Sequence, residues 1–150
     1  MTSTREQILA NLKKAMLEKD EVTRDTLRMV KADLMNEEVK LGREPDEAET
    51  LAILQRGVKT RRDSIEQYRS NGREDAAVAE ETEIAVIEAY LPKALSEDEL
   101  QQAIDAKIRA LGLTGKQDMG RLMKELKAEL GPTLDGRTAS KLAAQALAKL

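Results

Sequence analysis

Three times along this chain a capping residue is followed three positions later by a glutamate, and an apolar run at helical spacing comes next: Ser3 with Glu6, Asp46 with Glu49, and Ser96 with Glu99. The signature has a reciprocal cause. The cap side chain accepts an orphan N–H of the first turn, and the glutamate accepts the N–H of the cap itself. Each box therefore marks a helix start. Stop signals stand between them. Asp20 breaks a first stripe of Ile8, Leu12 and Met16, and Gly42 follows a second stripe of Leu27, Val30, Leu34 and Leu41. Asn71-Gly72 closes the helix opened at Asp46, and a fourth helix runs roughly from Glu74 to Tyr90, burying Ala77, Ile84, Ile87 and Leu91. No alternating apolar run bounded by turns occurs, so the pattern predicts an all-α protein.

The composition agrees. The only aromatic residues are two Tyr, so the core must be built from Leu, Ile, Val, Met and Ala, which suits helices better than a sheet. Charged residues make up 35% of the chain, but both signs are interleaved with periodic apolar positions. That is the pattern of solvated helix faces rather than of disorder. The length suits one domain or two small ones.

Leu91-Pro92-Lys93-Ala94-Leu95 is the best boundary. Pro92 lacks a donor and biases Leu91 away from the helical region, and the Ser96 box restarts a helix at once. The expected organisation is a body of about four helices over residues 1–92 and a tail of three helices over 93–150. Within the tail, helices are expected to Leu111, from about Gln117 to Leu130, and from an Asp135 cap to the end. Gly112 and Gly131-Pro132 stand between them. The stripes Met119/Leu122/Met123/Leu126/Leu130 and Leu142/Ala143/Ala146/Leu150 are expected to pack on each other.

Charge separates the same two parts. Residues 113–150 hold 7 Lys+Arg against 4 Asp+Glu, and residues 1–112 hold 18 against 24. A basic tail on an acidic body points to an anionic partner there. Lys116, Arg121, Lys124, Lys127, Arg137 and Lys141 are the candidates, because phosphate backbones are held chiefly by Arg and Lys. Gly136-Arg137-Thr138 could also offer helix-start N–H groups to a phosphate, unless the Asp135 carboxylate already takes them. The plainer reading is a solvated basic face with Glu125 and Glu129 as partners. Gly120, inside a helix, serves either close packing or close approach of a ligand. A second basic set is Arg61, Arg62 and Arg69 on the helix opened at Asp46, with Arg73 just past its Asn71-Gly72 end. Arg61 falls on that helix's apolar seam (Leu51, Leu54, Val58, Ile65, Tyr68), where it either pairs with Glu81, Glu83 or Glu88 or faces a ligand groove.

Catalysis has little to stand on. With no His and no Cys, zinc sites built on those ligands, thiol nucleophiles and imidazole acid–base work are excluded. Ser64 and Ser140 lack a base, and no carboxylate pair is singled out by an apolar setting. No catalytic residue, metal or cofactor is expected. No apolar stretch approaches a membrane span and the first residues lack a secretory signal, so a cytoplasmic chain without a membrane partner is the expectation.

Several blocks together resemble the GatB/YqeY family: Thr26-Leu27-Arg28-Met29-Val30-Lys31, the run Arg61-Arg62-Asp63-Ser64-Ile65-Glu66-Gln67-Tyr68, Gly72-Arg73-Glu74-Asp75, Tyr90-Leu91-Pro92-Lys93, and the tail from Gly115 through Lys127. The stretch Gly131 to Thr138 departs from the commoner Lys-Gly-Lys/Arg-Ala-Asp pattern of that tail. The family's tail is shared with the B subunit of the bacterial tRNA-dependent amidotransferase. The resemblance implies an all-α fold with a small C-terminal three-helix domain, and a tail that contacts tRNA. It implies no catalytic site here, since the larger catalytic part of that subunit has no counterpart. A carbon–nitrogen ligase activity with glutamine as amido donor would be inherited from the B subunit by name. Three functions stay open: a non-catalytic tRNA-associated accessory protein whose helical body docks elsewhere, on a protein partner; a protein–protein adaptor whose tail binds a protein surface and no RNA; and an amidotransferase component.

Overall fold

A computed structural model describes residues 2–150. All regular structure among them is helical, in seven α-helices and two short 3-10 turns. The chain forms two compact units, the first ending at Leu91 and the second comprising Pro92–Leu150.

The first unit contains α1 (Thr4–Glu18), α2 (Glu21–Leu41), α3 (Glu47–Ser70) and α4 (Glu74–Glu88). The boxes at Ser3 and Asp46 both close. Ser3 Oγ accepts from the Glu6 N–H at 3.1 Å, and Asp46 Oδ1 accepts from the Glu49 N–H at 2.8 Å, with the return bonds at 3.3 and 3.1 Å. α1 ends on Lys19 in the left-handed region (φ 59°), which lets Asp20 cap α2 directly and folds the two helices into an antiparallel hairpin. Gly42, at φ 71°, ends α2 without the Cβ clash that Lys19 tolerates. The core of this unit is Ile8, Leu12, Leu27, Val30, Leu34, Ile53, Leu54, Val58, Ile65, Ala77, Ile84 and Ile87. Polar ties fix its edges: Thr4 donates to the Glu47 carboxylate, and the Asn11 side-chain amide donates to the Tyr90 hydroxyl at 2.8 Å.

The first stripe differs from expectation at its end. Ala15, not Met16, turns into the core, and Met16 is 50% exposed. At 100° per residue the buried face centred on Ile8 and Leu12 reaches position 15, whereas 16 lies on the flank. α4 stops at Glu88 rather than Tyr90, and Tyr90 and Leu91 are turn residues packed against the core.

The second unit contains α5 (Glu97–Leu111), α6 (Met119–Leu130) and α7 (Gly136–Ala148), each packed against the other two. Its core is Leu100, Ile104, Ile108, Leu113, Leu122, Leu126, Leu134, Ala139, Ala143 and Leu147. The Ser96 box closes with two bonds of 3.2 Å. The residues expected to begin the next helix instead form a 3-10 turn, Lys116–Asp118. Asp118 Oδ2 accepts the Thr114 N–H at 2.9 Å and folds its own approach loop inward, so α-geometry begins at Met119. A second 3-10 turn, Gly131–Thr133, follows α6, and the Thr133 carbonyl accepts the Leu95 N–H at 3.2 Å. In α7 the buried stripe is Ala139, Ala143 and Leu147, with Leu142 and Ala146 half-buried. Leu150, expected in that stripe, is 60% exposed.

Candidate nucleic-acid interface

The basic residues of the second unit divide between two helices. On α6, Leu122 and Leu126 are fully buried, which places Arg121 and Lys124 opposite the core and Lys127 on one flank. On α7, Ala139, Ala143 and Leu147 face inward, so Arg137 and Lys141 stand one turn apart on the outer face. Each helix of a three-helix bundle turns its outer face away from the shared core. The candidates therefore form two diverging strips, one per helix, and not a single continuous patch. Lys116 stands apart on the 3-10 turn before α6, exposed.

Their electrostatic state separates them from Arg61, Arg62 and Arg69 of the second basic set. Among the described residues no carboxylate lies within 4.0 Å of Lys116, Arg121, Lys124, Lys127 or Lys141. Glu129, expected to neutralise this face, pairs instead with Lys107 of α5. Position 129 lies on the opposite flank of α6 from position 127, which puts it within reach of the neighbouring helix.

The start of α7 is occupied from within. Asp135 Oδ1 accepts the Arg137 N–H at 3.2 Å, and its other carboxylate oxygen accepts from the Thr138 hydroxyl at 3.1 Å. A phosphate would have to displace this carboxylate from the Arg137 N–H, one of the groups considered for Gly136-Arg137-Thr138. Gly120 is exposed, and a Cβ added there would meet nothing within 4 Å. Close packing against a neighbouring helix is thus not its purpose. The residue sits in the first turn of α6, with its backbone open to solvent beside Arg121.

The second basic set is committed to the fold. Arg61 is 12% exposed, and its guanidinium donates to Glu83 at 3.2 Å and to the Gly57 carbonyl at 3.1 Å, with Glu80 at 4.0 Å. The seam arginine is therefore an ion pair between α3 and α4, with Glu83 as its main partner. Gly57 makes room for it, since a Cβ there would lie 3.3 Å from the guanidinium. Glu80 feels the crowding: burial, then the neighbouring Glu83, push its carboxyl above the usual range, against the pull of Arg61. Arg62 pairs with Glu88 at 3.7 Å, Arg69 with Glu74 at 3.0 Å and with Glu81, and Arg73 stacks over Tyr68 with 5.6 Å to the ring centre. The alternation of signs along the sequence diluted this patch, and the tertiary pairing of α3 with α4 neutralises it further.

One surface feature escaped the sequence pattern. A groove of about 510 Å³ runs between α1 and α2, with Leu9, Met16 and Met35 among its apolar lining. Its only trace in the sequence is that apolar residues on both helices exceed what one buried stripe needs.

The sequence matches the family model described as Yqey-like protein over residues 5–147. It is also similar to proteins named "altered inheritance of mitochondria protein 41, mitochondrial" from yeasts. That of Lachancea thermotolerans is 34% identical over 67% of this chain and 54% of its own length. That of Eremothecium gossypii is 37% identical over 69% and 58%, and that of Saccharomyces cerevisiae strain S288c 29% over 81% and 65%. The chain thus spans between about half and two thirds of the relatives it matches. Their name mentions neither RNA nor amide transfer. It places those proteins in mitochondria, so they lend no support to the cytoplasmic setting expected from the sequence. Among the described residues no helix is long and apolar enough to cross a membrane.

Proposed function

The chain belongs to the YqeY-like family, and from that premise we propose that it is a non-catalytic accessory protein whose second unit binds structured RNA, tRNA being the first candidate. One observation carries the reading. Arg121, Lys124, Lys127 and Lys141 are exposed without a carboxylate within 4.0 Å, while Arg61, Arg62 and Arg69 of α3 are paired with Glu83, Glu88, Glu74 and Glu81. Cations without a carboxylate partner on a three-helix unit are available to displace counterions from a phosphate backbone. The body and the tail would then be two functional parts, the tail for RNA and the four-helix body for another contact.

The target is structured RNA and not an unpaired strand. Both tyrosines lie in the first unit, so the second has no aromatic platform on which to stack bases. Two diverging strips of charge suit a folded RNA that presents backbone in more than one direction. No step of amide transfer is assigned to this chain.

The test is tRNA binding by the full-length protein across a salt series. Four phosphate contacts predict a slope of about −3.6 in log K against log salt, roughly a hundredfold loss between about 50 and 200 mM. Neutralising Arg121 and Lys124 together should reduce the slope to about −2. Replacing Lys13 and Lys14 of α1 should leave it unchanged. Absence of binding at low salt refutes the RNA reading and leaves a protein–protein adaptor. Control by Arg61, Arg62 and Arg69 would move the site to the first unit. Amide transfer to charged tRNA, measured with and without the chain, should not differ. An increase would establish the amidotransferase component instead.

A further inference from the structure

The groove between α1 and α2 is an apolar feature of the first unit that its own core does not use. Its floor is Leu12 and Leu34, both nearly fully buried. Its walls are Leu9 and Met16 from α1 and Met35 from α2, with Met16 and Met35 50% and 54% exposed. Val39, one turn beyond Met35 on the same flank, is 82% exposed. The two half-exposed methionines have flexible thioether chains that can adapt to an incoming apolar surface. From Arg5 to Met16 the α1 wall extends roughly 16 Å, three turns of a docked helix.

Charge identifies the occupant. The hairpin is balanced, with 8 Lys+Arg and 8 Asp+Glu over residues 3–42, although the first unit as a whole is acidic, with 15 against 20 up to Leu91. On the groove's margins stand Lys13 from α1 and Lys31 from α2, both exposed and neither with a carboxylate within 4.0 Å among the described residues. The rim's acid is confined to one end, where Glu38 is paired with Arg5. We propose that this groove is a docking site for an acidic amphipathic helix of a partner protein, its apolar face on Met16, Met35 and Leu9 and its carboxylates against Lys13 and Lys31. The chain's own tail does not fit. The apolar faces of α5, α6 and α7 are consumed in their own core, and the outer face of α7 carries Arg137 and Lys141. A second copy docked groove to groove would set Lys13 and Lys31 against the same lysines. The inference does not depend on RNA binding, since it concerns the first unit alone.

The experiment uses the full-length protein and a fluorescent stapled peptide of about four helical turns with a leucine face and glutamate margins. A matched peptide carries lysine margins. The glutamate peptide should bind at least about tenfold more tightly, and Lys13→Glu with Lys31→Glu should reverse the preference. Met16→Asp with Met35→Asp should weaken the glutamate peptide by more than about tenfold. Both pairs are exposed, so circular dichroism should confirm an unchanged fold. Equal affinity for the two peptides, or none for either, overturns the proposal. So does a dimer in sedimentation that Met35→Asp dissociates, which would make the occupant a second copy. Binding to vesicles containing anionic lipid that the same variants abolish would assign the groove to a membrane surface and overturn it as well.

Discussion

Replacing Arg61 distinguishes a structural arginine from one that faces a ligand. Its side chain is 12% exposed, and Glu83, which accepts at 3.2 Å, is 27% exposed. The pair lies between two regimes. Exposed pairs contribute up to about 1 kcal/mol, while losing one partner of a fully buried pair costs about 3–5 kcal/mol. Arg61→Ala should therefore destabilise the first unit by about 2 kcal/mol. The loss has two parts, the uncompensated carboxylates of Glu83 and Glu80 and the lost packing of the aliphatic stem over α3. Arg61→Met keeps the stem and should cost about half as much. A double-mutant cycle with Glu83→Gln should give a coupling of about 1 kcal/mol. As a control, Arg62→Ala removes a half-exposed pair with 3.7 Å to Glu88 and should cost less than about 0.5 kcal/mol. The assay is urea unfolding followed by tyrosine fluorescence. Tyr68 and Tyr90, the only aromatic residues, both lie in the first unit, so the signal reports that unit alone. A stability within about 0.3 kcal/mol of wild type, together with weakened RNA binding, would refute the structural assignment.

Three further outcomes follow from the same geometry. Leu147→Ala should cost about 3 kcal/mol in the second unit and Leu150→Ala less than about 0.5, read by thermal unfolding; equal costs would mean that the α7 stripe is misplaced. Gly120→Ala should stabilise α6 by about 0.5 kcal/mol, since nothing opposes the added methyl, and reduced tRNA affinity in the same variant would show that RNA backbone approaches there. Acid should act through depressed carboxylates: Glu49 is lowered to about 2, mainly by its bond from Arg43, Glu74 is lowered by Arg69, and Glu99 by the Ser96 N–H. Their folded pKa values lie below the unfolded ones, so their contribution is complete above about pH 4.5 and is lost as pH falls through the folded values. Glu80 has the opposite sign. Its raised pKa makes the ionised form unfavourable in the fold, so Glu80→Gln should be at least as stable as wild type at neutral pH, with the difference vanishing below pH 4. Urea midpoints across pH for the two proteins test this, and a Glu80→Gln variant that is less stable at neutral pH would show that Arg61 dominates.

The all-helical fold was legible because its signals are local. A capping box needs only residues i and i+3, and a left-handed helix end needs only one glycine such as Gly42 or Gly112. Stripe membership was legible at the centre of each helix and not at its ends. Met16 and Leu150 have the right character but lie past the angle at which a neighbouring helix covers them, whereas Ala15 and Leu147 lie within it. Leu113 shows the converse, a loop residue buried at 7% that no periodicity marks.

The candidate site divides the same way. Sequence alone identified which residues are basic, that the tail carries an excess of them, and that Arg61 breaks an apolar seam. These follow from composition and from spacing along one helix. Only the tertiary structure decided which cations are paired, because an ion pair depends on what the next helix presents. α4 delivers Glu83, Glu88 and Glu81 to Arg61, Arg62 and Arg69 of α3, and α5 draws Glu129 away from the face of α6, leaving Arg121 and Lys124 without a carboxylate within 4.0 Å. The groove between α1 and α2 is likewise a property of two helices side by side. Each supplies one wall, and neither wall alone differs from an ordinary amphipathic helix with a methionine on its flank.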